Sequence, residues 1–281
     1  MREQETPAGS LYVVALPIGN AADITVRALW LLSRMDVIAA EDTRVTRPLL
    51  ARFGIDTPLV AAHQHNEQEA ARDMIDRLAR GERVALVTDA GTPGVSDPGA
   101  RAVRAVLDAG YRVVPVPGAS SAIAAVSAGG LAPGPFRFVG FLSTGRVERE
   151  RTLRTLAAEG SAFVLFEAPH RVRDLLVLMA EVLEPARRVV LARELTKKFE
   201  TIQVHRAGDL GSLEADERGE YVVLVDAGEE AAADVDAVTR RWLESLLQEL
   251  PPARAAAVAS RASGQPRDVL YRLALQLKPT R

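Results

Sequence analysis

The chain has 281 residues, which is long enough for two domains and a short additional piece, and 48% of them are hydrophobic and 26% charged, as in an ordinary globular protein. Its formal net charge of −2 gives no overall positive field of the kind that marks many nucleic-acid binders, although a local basic patch stays possible. The absence of cysteine excludes disulfides, thiolate zinc sites and cysteine nucleophiles. The polar N-terminus and the lack of an apolar run of ~18 residues lead us to expect a cytoplasmic protein without a membrane span.

The first half of the chain alternates between short apolar runs and amphipathic stretches. The apolar runs predict five strands, at Leu11–Leu16, Val37–Ala40, Pro58–Ala62, Val84–Val87 and Tyr111–Val116. The stretches with helical periodicity predict five helices, at Thr25–Met35, Val45–Phe53, Glu67–Arg80, Ala100–Ala109 and from a Ser120 or Ser121 cap to Gly129. Because the connections are short, we expect a parallel sheet with helices on both faces.

The second half begins after a linker, Gly130–Pro135. Five further strands are predicted at Arg137–Leu142, Ala162–Glu167, Arg188–Glu194, Phe199–His205 and Tyr221–Val225, with helices at Glu148–Ala158 and Arg171–Leu183. The hairpin spacing around Thr196–Lys198 indicates a mixed sheet. An acidic, alanine-rich stretch follows, and then three short helices, at Ala237–Glu249, Ala253–Ala262 and Arg267–Leu277. We therefore predict two α/β domains, residues 1–130 and 131–228, and a helical piece, residues 235–281.

The loop after Val84–Val87 is the strongest candidate for ligand binding. In residues 88–99, glycines and prolines alternate with Asp89, Thr92, Ser96 and Asp97. Ligands of open α/β sheets bind at the carboxyl ends of the strands, where glycine lets the backbone approach them closely. The alternative is an ordinary strand-to-helix turn in which Asp97 caps the next helix.

Several well-known motifs are missing. The chain contains no Gly-x-Gly-x-x-Gly after its first strand, no phosphate-binding Gly-x-x-x-x-Gly-Lys-Ser/Thr loop and no Gly-x-Ser-x-Gly elbow. Nicotinamide, flavin and nucleoside-triphosphate chemistry therefore lose support. His63 and His65 have no acidic or third histidine partner at metal-binding spacing, so we predict no metal site.

Seven short motifs occur in a fixed order along the chain. They are Leu16–Asn20, Ala40–Arg44, His63–Glu67, Asp89–Pro93 with Ser96–Gly99, Pro115–Gly118, Gly140–Leu142 and Arg193–Thr196. Together they closely resemble the tetrapyrrole methylase superfamily, in particular its members that methylate ribosomal RNA. The resemblance runs from about Leu11 to the C-terminus.

The resemblance implies two α/β domains with S-adenosylmethionine bound in the cleft between them, and a homodimer. It also implies methylation of the ribose 2′-oxygen of a cytidine in the decoding region of 16S rRNA, in the small ribosomal subunit. By motif, the cofactor-binding residues are Pro17, Gly91, Thr92, Pro93, Ser120, Ser121, Phe141, Leu142, Phe166 and Glu167. The superfamily's usual Gly-Asp-Pro turn appears here as Gly91–Pro93, which fits a different methyl acceptor.

Methyl transfer from a sulfonium needs no metal, only an acceptor oxygen held in line and help in removing its proton. We expect Asp42 and Arg44 to orient the target nucleotide, with Arg44 on a phosphate and Asp42 or Lys197 assisting deprotonation. The alternative for Arg44 is an ion pair with Glu41 or Asp42. Lys197 and its neighbour are equally compatible with a solvated hairpin tip and with a basic edge that faces RNA.

The C-terminal helices carry four arginines, Arg254, Arg261, Arg267 and Arg272. Enzymes that resemble this chain carry a helix-turn-helix-like piece here, so we expect it to hold RNA; the alternative is a helical plug that completes a dimer. Two other functions compete with rRNA methylation: methylation of a corrin precursor in the same cleft, and RNA binding without catalysis.

Overall fold

The computed structural model describes residues 5–63, 67–228, 235 and 237–277. The chain divides into two compact units, the first ending at Asp226 and the second beginning at Ala227. The first unit contains two five-stranded sheets, and the second contains the last three helices. No helix in the described ranges is long and apolar enough to cross a bilayer.

The first sheet is entirely parallel. Its strands are β1 (Ser10–Val14), β2 (Val37–Ala40), β3 (Leu59–Ala61), β4 (Val84–Val87) and β5 (Arg112–Val116), in the spatial order β3-β2-β4-β1-β5. Every residue of β2 and β4 is buried. This explains their uninterrupted apolar sequences, because strands in the middle of a parallel sheet are covered on both faces.

Four helices cover the first sheet, two on each face. On one side, α1 (Val26–Leu32) and α2 (Thr43–Ala51) pack against alternate strand residues such as Ile38 and Ala85. On the other side, α3 (Glu67–Ala79) and α4 (Ala100–Asp108) pack against the residues in between. The predicted layer arrangement is confirmed for these helices.

The second sheet is mixed, as predicted. Its strands are β6 (Phe136–Phe141), β7 (Ala162–Glu167), β8 (Arg188–Arg193), β9 (Thr201–Arg206) and β10 (Tyr221–Val225), in the order β6-β7-β10-β8-β9. Only β6 and β7 are parallel to each other, and β8 and β9 form the expected antiparallel pair. The helices α6 (Arg146–Ala158) and α7 (Pro169–Val182) pack on one face.

The small-residue helix α5 (Ser121–Gly129) covers the other face of the second sheet. It follows β5 of the first sheet after four residues, yet its buried Ala122 and Ala125 pack against Val190, Val222 and Leu224 of the second. The connection 117–120 therefore passes directly from one sheet to the other. The domain boundaries at residues 130, 228 and 235 remain predictions.

The second unit consists of α8 (Ala237–Glu249), α9 (Pro252–Ser263) and α10 (Arg267–Leu277). Its core is built mainly from leucines and alanines, among them Leu243, Ala256 and Leu270. A left-handed Gly264 ends α9, so that α10 begins after a short turn. The three predicted helices are present with nearly the predicted bounds.

Some local features differ from the sequence-based predictions. Helix α2 begins at Thr43 instead of Val45, because the Asp42 side chain caps it by accepting a hydrogen bond from the Arg44 N–H. Two short 3-10 helices, Ala21–Asp23 and Ala207–Ser212, were not predicted. The α/β class with two sheets and a helical C-terminal piece is confirmed.

Candidate active site

A cavity of about 280 Å³ lies within the first unit, where the carboxyl ends of strands from both sheets meet. The first sheet contributes the loops after β1, β4 and β5, and the second contributes the ends of β6 and β7 and the start of β10. The lining residues are Ile18, Ala90, Gly91, Thr92, Val95, Ser96, Asp97, Ser120, Ser121, Phe141, Phe166, Glu167, Ala168, Pro169, Leu195, Glu220, Tyr221 and Val222. The cavity is thus built by residues far apart in the chain.

Seven of the ten residues predicted to bind the cofactor line this cavity: Gly91, Thr92, Ser120, Ser121, Phe141, Phe166 and Glu167. The other three do not. Pro17 and Pro93 are buried in the loops that form the wall, and Leu142 is buried in the core beneath α6 and α7. The structure therefore brings most of the predicted cofactor-binding residues together at this cavity, and the other three are buried behind its wall.

The cavity wall that the first sheet contributes consists largely of backbone segments joined to each other by hydrogen bonds. Leu16 and Gly91 exchange two backbone hydrogen bonds, of 2.9 and 3.1 Å. The Thr92 hydroxyl donates to the Ala119 carbonyl at 3.1 Å, which joins the loop after β4 to the connection before α5. A Cβ on Gly118 would lie 2.9 Å from the Cβ of Ala15, so only glycine fits there. These contacts fix two ligand-facing loops to each other.

The opposite wall carries aromatic rings and a buried carboxylate. Phe141, which is 54% exposed, contacts Phe166 edge to face with ring centres 5.6 Å apart. Glu167 is 2% exposed; its Oε1 accepts from the Ala168 N–H and lies 3.2 Å from Arg171 Nε. Its Oε2 is buried and has no hydrogen-bond partner. A buried carboxylate oxygen at a cavity wall is suited to a hydroxyl or amine donor from a ligand.

The start of α5 forms a third part of the cavity. Ser120 is the N-cap residue, but no side chain makes a capping hydrogen bond. The backbone N–H groups in the first turn of a helix have no partner within the helix, and the helix dipole favours an anion near them. This end of α5 is therefore suited to a ligand carboxylate, with the hydroxyls of Ser120 and Ser121 beside it.

These features fit S-adenosylmethionine. The molecule carries a carboxylate, an amine, two ribose hydroxyls and an adenine ring. The cavity offers a helix N-terminus for the carboxylate, the free Glu167 oxygen for a hydroxyl or amine, and the Phe141 face for a ring.

Two residues predicted for catalysis, Asp42 and Arg44, form an ion pair with each other. Arg44 Nη2 lies 2.6 Å from Asp42 Oδ2, and Arg44 Nε also donates to this carboxylate. The hydrogen bonds from Arg44 lower the pKa of Asp42 to about 2. The structure thus shows the alternative considered for Arg44, and Asp42 is a weak base in this pair. Within the described part of the chain, Arg44 Nη1 makes no hydrogen bond, and the side chain is 89% exposed.

Lys197, the third predicted catalytic residue, is held by two carboxylates. Its Nζ lies 2.9 Å from Glu194 Oε1 and 3.0 Å from Glu220 Oε2. Burial acts to lower the pKa of Lys197, but the two hydrogen bonds outweigh it and leave that pKa raised. The side chain lies across Gly19, whose Cβ would be 2.5 Å from Lys197 Cγ. Lys197 is therefore protonated and packed against the first loop, which contradicts a fully solvated hairpin tip.

The described non-glycine residues with positive φ lie in the cavity lining or next to a lining residue in the chain. Ser96, Glu194 and Thr196 are the non-glycine residues there with positive φ, at 63°, 52° and 66°. Ser96 lines the cavity, and the Thr196 hydroxyl accepts a hydrogen bond from the Asn20 N–H of the first loop. Conformations of this kind cost energy and are commonly kept at functional sites.

The residues around Asp97 form the acidic side of the cavity. Glu41 Oε2 accepts from the Asp89 N–H, and Asp89 Oδ1 accepts from the Asp42 N–H. Burial raises the pKa of Glu41 and of Asp89. Asp97 is accessible from the cavity, yet the surrounding protein desolvates its carboxyl group and raises its pKa to about 6. Asp97 makes no hydrogen bond or ion pair with any described residue.

Other sequence-based predictions have different outcomes. Asp97 does not cap α4, since the N-cap residue is Gly99 and no side chain of that residue caps the helix. The predictions gave no role to Glu220, Tyr221 or Leu195, which line the cavity from the second sheet. Leu195 lies within the motif Arg193–Thr196, whereas no local signal marks Glu220 or Tyr221, because they reach the site through strand pairing. His65 lies outside the described residues, and no group of potential metal ligands occurs within the described ranges.

Solved structures with the same fold are known. The chain superposes on the uroporphyrin-III C-methyltransferase of Thermus thermophilus with a TM-score of 0.57 and 23% identity, over 78% of this chain and 94% of that one. It superposes on the cobalt precorrin-4 methyltransferase CbiF with a TM-score of 0.59 and 21% identity, over 79% and 98%. At this identity the likeness shows a shared fold.

Sequence comparison covers nearly the whole chain. Residues 10–211 match the family Tetrapyrrole (Corrin/Porphyrin) Methylases, and residues 229–278 match the RsmI C-terminal HTH domain. The protein named ribosomal RNA small subunit methyltransferase I from Pseudomonas aeruginosa is 46% identical, over 96% of this chain and 98% of its own length. The protein of the same name from Escherichia coli O157:H7 is 44% identical, over 95% of both. The chain belongs to the tetrapyrrole methylase family, and the relatives that it matches over nearly its whole length include proteins named ribosomal RNA small subunit methyltransferase I.

Proposed function

We propose that this chain transfers a methyl group from S-adenosylmethionine to the ribose 2′-oxygen of a cytidine in the decoding region of 16S rRNA. The observation that carries the proposal is the cavity itself, which unites a helix N-terminus, an exposed aromatic ring and an unpartnered carboxylate oxygen. The relatives named ribosomal RNA small subunit methyltransferase I support RNA as the substrate class.

When bound, S-adenosylmethionine supplies an activated methyl group on a sulfonium. The residues of this chain hold it and exclude water: the first turn of α5 faces the carboxylate, Glu167 Oε2 accepts from a hydroxyl or amine, and Phe141 covers a ring. The tied loops around Gly91 and Thr92 provide backbone contacts. Most of the acceleration then comes from placing the acceptor oxygen in line with the methyl group.

The Asp42–Arg44 pair, which the Asp42 N–H joins to Asp89 in the loop after β4, orients the target nucleotide. Arg44 uses Nε and Nη2 on Asp42, so its Nη1 remains available to a phosphate oxygen. Asp42 keeps the guanidinium in place and caps α2 at the same time. In this arrangement, Asp42 positions Arg44 and does not itself remove a proton.

Lys197 acts as a fixed cation in this proposal. Its carboxylate partners, Glu194 and Glu220, keep it protonated, so it is not the base that the sequence suggested as one possibility. It connects the β8–β9 turn to the loop around Gly19. Lys197 thereby holds the two walls of the cavity together beside Glu220.

The second unit contributes RNA affinity. The arginines at positions 254, 261, 267 and 272 are exposed on α9 and α10, and Arg272 is partly neutralised by Asp268. The match to an HTH domain supports this assignment, since such modules hold nucleic acid through exposed basic helices. We also propose a homodimer, as the resemblance implies.

The decisive experiment is labelled methyl transfer to small ribosomal subunits that lack the modification. We expect label in 16S rRNA at a cytidine, in an alkali-resistant dinucleotide that marks a 2′-O-methyl group. Label on a corrin precursor and not on rRNA would support the competing methylase. Tight rRNA binding without retention of S-adenosylmethionine would support the non-catalytic alternative.

The role of the second unit is tested by the double substitution Arg254→Ala with Arg267→Ala. We expect weaker binding of 16S rRNA and a salt dependence whose logarithmic slope falls by roughly 0.7–0.9 for each lost phosphate contact. Affinity for S-adenosylhomocysteine should not change. Arg206→Ala, which removes an exposed arginine from β9, is the matched control. Unaltered rRNA binding by the double variant would instead support the helical-plug interpretation.

A further inference from the structure

We propose that the β8–β9 turn, residues 194–200, is a contact surface for single-stranded RNA, on which the Phe199 ring stacks against an unpaired base and Lys198 binds a phosphate. The inference rests on the proposed function and deepens it by naming the part of the first unit that meets the rRNA. Its foundation is a juxtaposition: an exposed aromatic ring and an unpaired cation lie together on a turn whose Leu195 lines the cavity.

The β8–β9 turn forms part of the cavity wall. Leu195 lines the cavity directly, and so does Glu220, which accepts from Lys197 Nζ at 3.0 Å. The Thr196 hydroxyl accepts from the Asn20 N–H at 3.1 Å, which fixes the turn to the first loop of the other sheet. Nucleotides adjacent to a ribose that enters the cavity therefore come within reach of this turn.

The turn is held in one conformation by its own hydrogen bonds. The Lys197 N–H donates to the Glu194 carbonyl at 2.9 Å, and the Glu200 N–H donates to the Lys197 carbonyl at 3.2 Å. The Glu200 side chain accepts from the Thr196 N–H, and Glu194 and Thr196 adopt positive φ. A surface that is already ordered loses little conformational entropy when a partner binds.

These contacts leave Lys198 as an unpaired cation on the turn. The carboxylates of Glu194 and Glu220 both accept from Lys197. Lys198 is exposed and makes no ion pair or hydrogen bond with any residue in the described ranges, and its Nζ lies 5.6 Å from the centre of the Phe199 ring. The Lys198 ammonium is therefore available to a phosphate oxygen.

Phe199 supplies the ring. It is 63% exposed, the largest exposed fraction of any phenylalanine in the part of the chain that the structure describes. Proteins bind single-stranded RNA by stacking its bases on exposed aromatic side chains while nearby cations contact the backbone. Both kinds of group are present within this one turn.

A second copy of the chain is the other candidate partner for this surface. Ile202 and Val204 of β9 are 38% and 56% exposed and would suit an apolar protein contact. Lysine is depleted in the centres of protein–protein interfaces, whereas a positive charge beside an aromatic ring is typical of single-strand binding. Lys198 and the adjacent cavity therefore favour RNA.

The test is binding of small ribosomal subunits that lack the modification, measured by fluorescence anisotropy of protein labelled at its N-terminus. We expect Phe199→Ala to bind roughly 5- to 30-fold more weakly, in the lower part of the range for a base stacked on an aromatic ring. Phe199→Leu keeps the apolar bulk without the ring and should bind as weakly, whereas Phe199→Trp should restore the affinity. This pattern separates stacking from a purely apolar contact.

The phosphate contact is tested by the salt dependence of the same binding. Lys198→Ala should lower the logarithmic slope by roughly 0.7, the value for one phosphate of a single strand, and Lys198→Arg should keep the slope. Phe199→Ala should also keep it, because an uncharged ring releases no counterions. An unchanged slope in Lys198→Ala would contradict the phosphate contact.

The control for the ring is Phe136→Ala, which removes a phenylalanine that is 39% exposed at the amino end of β6. Its affinity for small subunits should not change. The variants at positions 198 and 199 should bind S-adenosylhomocysteine within about twofold of the unsubstituted protein, by calorimetry, and keep its sedimentation coefficient.

Three results would overturn the stacking role of Phe199. Full small-subunit affinity in Phe199→Ala would remove the ring from RNA binding, and full affinity in Phe199→Leu would replace stacking by an apolar contact. A changed sedimentation coefficient in Phe199→Ala would assign the ring to an interface between copies of the chain. Absence of methyl transfer by the unsubstituted enzyme would instead contradict the proposed function, while the binding measurements would still decide the role of the turn.

Discussion

The loops that follow β2 and β4 begin at the same edge of one sheet and carry the same kinds of residue, but they use their carboxylates differently. After β2, Asp42 caps its own helix and pairs with Arg44. After β4, the helix is capped by Glu67 of a neighbouring helix, and Asp97 stays unpaired. The first carboxylate is used in the structure of its own loop, and the second lines the cavity without a partner among the described residues.

This difference shows why residue type and spacing do not assign a role. Both aspartates lie between a buried strand and a helix, and either could be proposed as a cap or as a base. What separates them is the supply of hydrogen-bond donors, which for Asp97 depends on a residue 30 positions earlier in the chain. Substitutions in and around each loop can therefore measure how much each carboxylate contributes to stability and to methyl transfer.

The largest effect is expected for Arg44→Ala, which removes the ion pair with Asp42 after β2. Methyl transfer to small subunits should fall by roughly 100-fold, because a charge-assisted contact with phosphate contributes about 1.5–3 kcal/mol. Affinity for S-adenosylhomocysteine should stay within twofold. Arg47→Ala, an exposed arginine on the same helix, serves as control. Unchanged turnover in Arg44→Ala would exclude the residue from the mechanism.

An intermediate effect is expected for Glu67→Ala, which removes the side chain that caps α4 after the β4 loop. Loss of the cap on α4 should lower the free energy of unfolding by about 1–2 kcal/mol, as measured by urea denaturation. Glu69→Ala, at an exposed position of α3, should change stability by less than about 0.5 kcal/mol. Equal stability of the two variants would contradict the capping role of Glu67.

The smallest effect concerns the pH dependence of stability in Asp97→Asn. The folded protein holds the Asp97 proton more tightly than the unfolded chain, since its pKa of about 6 exceeds the ordinary value of ~3.9. Stability from this group is present at low pH and is lost as pH rises from about 4 to 6. We therefore expect Asp97→Asn to match the unsubstituted protein in Tm at pH 4 and to exceed it at pH 7. A constant difference across this range would contradict a raised pKa.

Much of the fold follows from local patterns in the sequence. The buried strands β2 and β4 coincide with their predicted bounds because their apolar runs end at polar residues on both sides. The placement of α5 could not be predicted in this way. Its sequence, Ser121–Gly129, is small and apolar on all sides, so no stripe indicates which sheet it covers. That choice depends on the surface that Val190 and Leu224 offer in the second sheet.

The site was predictable where sequence motifs mark its residues. Motif positions such as Gly91, Ser120 and Phe141 reach the cavity as expected. Lys197 shows the limit, because its partner Glu220 lies 23 residues away and meets it only through strand pairing. A sequence pattern can nominate a charged residue, but its protonation state depends on partners that the fold assembles.

The short connection Pro117–Ser120 also has a consequence for the proposed binding of S-adenosylmethionine. It leaves β5 of one sheet, packs through Gly118 onto Ala15, accepts the Thr92 hydroxyl at Ala119, and enters a helix fixed to the other sheet. Because this four-residue connection is held at both ends, the two sheets have little freedom to move about it as a hinge. We therefore expect the cavity to be preorganised for the proposed S-adenosylmethionine, so that binding costs little conformational entropy and crystals with and without the molecule superpose closely across this segment.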